Sequence, residues 1–185
     1  MMSIKNPMLG MVLIMILSCT KSVKKEPLEN AHQFFEKLSK NKGLWVHLPS
    51  DTTIAMQSFI MKFELQEGDT LRGEILGFTK TGDTISFWNI KEYRVAEKDT
   101  IIFNQQGEYG SARGTSYFPD SLTRESRFIM TYSNGAPQMH KNTHIFLNDS
   151  TLLTKSQIFD KQSQKWVKQP DAIWTFNHPT KKEQS

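Results

Sequence analysis

From Phe59 to Phe176 the chain reads as one alternating apolar-polar run after another, cut by short polar clusters. Phe59, Met61, Phe63 and Leu65 alternate with Ile60, Lys62, Glu64 and Gln66, and Glu67-Gly68-Asp69 ends that run. A period of two puts one face of a strand on a core and the other toward water. Turn clusters recur at Gly68-Asp69, Gly82-Asp83, Lys98-Asp99, Pro119-Asp120, Asn134-Gly135, Asn148-Asp149 and Asp160-Lys161. They leave strands at 44–48, 54–66, 70–79, 84–96, 100–106, 113–118, 124–132, 137–147, 151–159 and 165–177. No segment of crossover length separates them, so parallel βαβ units are excluded and pairing is antiparallel. An open meander of that length exposes two edges, and closure removes them. The expected fold is all-β, an antiparallel up-and-down barrel of about eight to ten strands. Within 84–96, Ile85 and Phe87 fall on one face, Trp88 and Ile90 on the other, and Tyr93 and Val95 back on the first. Such phase shifts predict bulges.

The N-terminal part follows other periods. Leu28 to Lys40 carries Ala31, Phe34, Phe35 and Leu38 at helical spacing, with Gly43 beyond as a stop signal. One short amphipathic helix is expected, its Phe face packed on the sheet as a lid over a barrel end. Residues 19–27 are polar and aperiodic and read as a tether. Met8 to Leu17 is an apolar run of ten residues broken only by Gly10, with Lys5 before it. That is far short of the ~20 residues of a membrane-spanning helix and fits the apolar core of a signal peptide. The domain organisation is therefore signal peptide 1–18, tether 19–27, barrel 28–178 and polar tail 179–185.

Composition sharpens this. The 185 residues suit one domain, and twelve Phe and four Trp compensate for a hydrophobic fraction of 37%. Net charge is +4; removing 1–18 takes away Lys5 and no acidic residue, leaving +3. Much of the excess sits at the ends, in Lys21, Lys24, Lys25, Lys181 and Lys182, as solvated terminal charge and not a nucleic-acid footprint.

The leader ends Ile16-Leu17-Ser18-Cys19, and Cys19 is the only cysteine, without a disulfide partner. This resembles the lipobox of bacterial lipoprotein precursors. The resemblance implies cleavage before Cys19, its acylation, and a membrane as partner; Thr20 in place of Asp implies transfer to the outer membrane. Gly43-Leu44-Trp45, after a helix and opening the first strand, resembles the G-x-W signature of lipocalins. Gly43 and Trp45 would then be the structural motif, with Trp45 closing one end of a barrel that holds a small hydrophobic or amphipathic ligand. The arginine that packs on that Trp in the family has no counterpart here, since the cations of 164–178 are lysines and a histidine.

Candidate chemistry is sparse. No nucleophile elbow, P-loop, metalloprotease helix or dinucleotide fingerprint is present, and no cofactor is implied. An enzyme on this barrel would draw on Arg94, Glu108, Tyr109 or Arg113. His140 and His144 share a strand face roughly 13 Å apart at ~3.3 Å per residue, too far for one ion, and read as surface or rim histidines. His32, His47 and His178 are isolated. The richer cluster is aromatic and basic, and Trp88, Tyr93, Arg94, Arg113, Tyr117 and Tyr132 are the candidate ligand-binding residues. If Arg113 and Tyr117 face inward, the interior is partly polar and suits an amphipathic ligand. The alternative is a filled interior, with Tyr hydroxyls and guanidinium groups at the mouth or on the outer face, in a protein that acts through protein contacts.

Overall fold

The computed structural model describes residues 27–40, 44–51, 53–95, 100–133 and 135–177. The leader, Cys19, the tether up to residue 26, Gly43, the Lys98-Asp99 turn, Asn134, His178 and the tail lie outside these residues.

The order is α1 (Pro27–Ser39), β1 (Leu44–His47), β2 (Met56–Gln66), β3 (Thr70–Thr79), β4 (Thr84–Val95), β5 (Thr100–Gly107), β6 (Gly110–Asp120), β7 (Thr123–Tyr132), β8 (Gln138–Asn148), β9 (Thr151–Asp160), β10 (Lys165–Lys168) and β11 (Ala172–Asn177). Each strand from β1 to β9 pairs antiparallel with the next, and β11 lies between β9 and β1. The sheet therefore closes on itself. β9 pairs with β11 through Thr151–Thr154 and with β10 through Gln157–Asp160, so β10 and β11 are two pieces of the tenth wall strand. Pro170, which has no N–H to give, sits in the break. Among the described residues, the expected all-β, up-and-down barrel with one short helix is the observed fold.

Register identifies the lumen. Trp45 lies opposite Met61 and Phe176, Met61 opposite Ile75, and Phe63 opposite Gly73. Continued round the wall, the inward row takes in Ile90, Phe103, Ala112, Phe128, Met130, Phe146, Leu152 and Trp174, all buried. β4 has its bulge at Phe87, as the phase shift predicts, where Ile75 pairs with Trp88 and Leu76 with Ser86. The outcome is not two faces, however. The extra residue turns Phe87 and Trp88 toward the same interior, where both line one cavity.

α1 lies across one end of the barrel as a lid. Ala31, Phe34, Phe35 and Leu38 are buried, and Phe34 packs on Phe118 and Phe146 at 5.5 and 4.9 Å between ring centroids. Each such Phe or Leu side chain contributes about 1.5–3 kcal/mol on burial. Polar ties add position. Asn30 donates from Nδ2 to Phe118 O and Pro119 O at 3.3 and 3.4 Å, His32 Nδ1 reaches Asp69 Oδ1 at 2.7 Å, and Lys37 Nζ reaches Asp149 at 2.9 Å. The lid is thus tied to the ends of three hairpins. Trp45 donates its indole N–H to Leu38 O at 2.9 Å, satisfying a carbonyl of the last helical turn that has no partner within the helix.

Candidate functional site

Beneath the lid the lumen is filled. Glu92, Arg124 and His144 are buried and inward, one each from β4, β7 and β8. Arg124 Nη1 bonds Glu92 Oε1, and Arg124 Nη2 lies 3.1 Å from the ring nitrogens of His144. Ser116 donates to Glu92 Oε2 at 2.9 Å and lies 2.9 Å from Ser126 Oγ. The guanidinium also sits 5.7 Å from the Phe34 ring centroid, so the cluster touches the underside of the lid. Burial pushes the Glu92 carboxyl up, against the opposing pull of Arg124 and Ser116. Burial, then the Arg124 charge, holds His144 well below its ordinary range, which keeps the ring neutral.

The opposite end is different. His47, Phe59, Ile75, Phe87, Trp88 and Trp174 line an apolar cavity of about 230 Å³. Phe59 meets Phe87 edge-on at 5.4 Å, Phe87 stacks on Tyr109 at 5.2 Å, and His47 lies 5.2 Å from Trp174. Gly107 makes room for the bulge: a Cβ there would overlap the Phe87 carbonyl. Trp174 donates its indole N–H to Thr154 Oγ1 at 3.1 Å, which fixes that wall. A larger concavity of about 740 Å³ lies on the outer wall over β2–β6, among Lys62, Glu64, Arg72, Glu74, Lys91 and Arg113. Its exposed side chains of both signs offer a ligand little burial, whereas small-molecule sites bury most of the ligand on apolar walls.

The sequence-derived candidates divide between these surfaces. Trp88 lines the lumen cavity, and Tyr132 faces the lumen beside His140, ring centroids 6.2 Å apart. Tyr93 faces outward, its hydroxyl 3.4 Å from Asn104 Nδ2 and Lys91 over its ring. Arg94 is exposed at the lid end. Arg113 and Tyr117 are exposed on the outer wall, Tyr117 by 58%. The arrangement with those two inward is corrected, because the inward positions of β6 are Ala112, Gly114, Ser116 and Phe118. Arg94 and the Glu108-Tyr109 turn occupy opposite ends of the barrel, so the four residues named for an enzyme do not converge. His140 and His144 are not surface or rim residues but buried lumen residues, His140 stacked on Phe128 at 5.3 Å. Among the described residues no cluster of three acidic, His or Cys side chains is placed to hold a metal. Nor is any helix among them long and apolar enough to cross a membrane.

Sequence reasoning missed the Glu92-Arg124-His144 cluster and most of the cavity wall. The signal was present: Arg124 shares parity with Phe128 and Met130, and His144 shares it with Phe146. No model of a known protein family matches the chain, and no curated protein matches it.

Proposed function

We propose that this protein is a lipid-anchored protein of the bacterial envelope, its lipocalin-like barrel binding a small hydrophobic or amphipathic ligand. The observation that carries the binding role is the aromatic cavity at the end opposite the lid. One end of the barrel is sealed by α1 and the polar cluster beneath it; the other keeps about 230 Å³ between Phe59, Phe87, Trp88 and Trp174. That is below the roughly 300–1,000 Å³ of drug-sized sites, so the ligand is small. Support for the anchor is the apolar run Met8–Leu17 followed by the lone Cys19, and Thr20 favours the outer membrane. Acyl chains on Cys19 would exceed the two signals that stable anchoring needs.

A second reading, contact with another protein, is favoured by one observation. On the outer wall Ile129 and Met139, paired across β7 and β8, are 52% and 41% exposed, and Trp166 on β10 is 41% exposed beside Phe159. Mass spectrometry of the protein purified from its native membrane separates the two. A retained small molecule at stoichiometric level supports the binding role, and repeated native preparations without one favour the protein contact. For the anchor, Cys19→Ser should leave the membrane fraction; if the variant still fractionates with membranes, the lipid anchor is wrong.

A further inference from the structure

We infer that the open-end cavity takes a small, uncharged ring compound with one O–H or N–H donor, which His47 Nε2 receives. The inference rests on the proposed ligand-binding role of this cavity and names the chemistry it selects. His47 Nδ1 lies 2.9 Å from the carbonyl oxygen of Ile173. A carbonyl oxygen only accepts, so Nδ1 carries the proton, and Nε2 of the neutral ring is left as a lone-pair acceptor. The ring plane is held as well: His47 stacks on Phe59 at 6.1 Å and 25° and lies 5.2 Å from Trp174. Tautomer and orientation are thus both set by the protein before any ligand arrives.

The rest of the lining narrows the class. Phe59, Ile75 and Phe87 have no polar side-chain atom, and the Trp174 indole N–H is engaged by Thr154. His47 Nε2 is the one side-chain acceptor among these residues. Trp88 adds an indole N–H with no hydrogen bond among the described residues, which suits a hydroxyl that donates and accepts. No Lys or Arg lines the cavity, and Arg124 is committed to Glu92 beneath the lid. An ionised carboxylate would lose its water here and gain no cation. Size sets the scale: an apolar cavity of about 150 Å³ accommodates benzene, so the 230 Å³ here suits a substituted ring or two fused rings.

The test compares 2-naphthol, 2-methoxynaphthalene and 2-naphthoate by calorimetry at pH 7.5 on the purified full chain and on His47→Phe. The wild type should bind naphthol about tenfold more tightly than the ether, one hydrogen bond's worth, and should not bind naphthoate. His47→Phe should keep its affinity for the ether and lose the preference. Equal affinities in the wild type, a preference that survives His47→Phe, or tight naphthoate binding overturns the donor inference while the cavity stands. Failure of both neutral probes to bind overturns the ligand-binding reading as well. Should His47→Phe fail to fold, the ¹⁵N resonance of His47 Nε2 in the wild type decides. It should move with naphthol and not with the ether, and a static resonance under saturating naphthol overturns the inference.

Discussion

Removing one partner of the Glu92–Arg124 pair should destabilise the barrel unequally, depending on which partner goes. Both side chains are buried, at 0% and 5% exposure, so neither charge is relieved by water. Breaking a buried pair from one side costs about 3–5 kcal/mol, because the remaining charge is stranded. Glu92→Met leaves a guanidinium that cannot give up its proton, so the full cost applies. Arg124→Met leaves a carboxyl that escapes by protonation, a direction in which burial already pushes Glu92. Such a group with a raised folded pKa is stabilised at low pH and loses that stabilisation as pH rises through the folded value. Arg124→Met should therefore be the milder variant, and should be more stable at pH 5 than at pH 8. The double variant replaces the pair with apolar side chains of similar length and should be more stable than Glu92→Met, with a residual cost of about 1–3 kcal/mol for the partners Ser116 and His144. Urea unfolding followed by tryptophan fluorescence reads this directly, since Trp45 and Trp174 are buried. At a slope of about 2–3 kcal/mol per molar urea, Glu92→Met should lower the midpoint by about 1–2.5 M. A shift below about 0.5 M, or a double variant falling by the sum of the singles, would falsify the claim that these charges are coupled and desolvated.

Phe34→Ala empties the contact between lid and barrel, where Phe34 meets Phe118, Phe146 and the Arg124 guanidinium, and should cost about 3–5 kcal/mol in the same urea titration. Gly114→Ala places a Cβ against the Arg127 carbonyl and the Phe128 Cα, backbone atoms that yield only if β6 and β7 separate. A loss of about 2–3 kcal/mol is expected, seen as a Tm lower by about 4–12 °C. In proton NMR titrations the histidines should split by environment. His32, raised by its hydrogen bond to Asp69, should titrate above 6.5, so its contribution is present at low pH and fades as pH rises through that point. His140 and His144, lowered by burial, should still be neutral below 6.5, so their contribution is full above that value and lost as pH falls. Ordinary titration of both lumen histidines near 6.5 would contradict their burial.

Much of the architecture was legible because one signal, period-two alternation, governs most of the chain. Strand positions, hairpin order, the helix at Leu28 to Lys40 and its Phe face all follow from periodicity and turn chemistry. Closure follows from the cost of free edges. Orientation was less legible on β6. There three of the four inward side chains, Ala112, Gly114 and Ser116, are small, because Phe128 and Phe103 already fill that space. The large Tyr117 drew attention to the wrong face. The bulge was visible as a phase break at Phe87, but a phase break does not say which residue is extra. The Glu92–Arg124 pair joins strands three apart around the wall, and only the register decides that they meet. Parity with Phe128 and Phe146 is compatible with the inward placement of Arg124 and His144, yet the histidines read as surface or rim residues; that they satisfy one another is a three-dimensional fact.

The seam between β1 and β11 bears on when this protein can fold. Trp45 pairs with Phe176 across it, so the wall closes by joining segments on the order of 130 residues apart in the chain. Long-range closure of this kind makes folding slow and leaves its final step to the last strand of the wall to be synthesised. A nascent chain lacking β11 has an open sheet, a Trp45 without its Phe176 neighbour at 5.2 Å, and two edges to protect. Under the export proposed above, that delay would keep the barrel threadable until β11 is released.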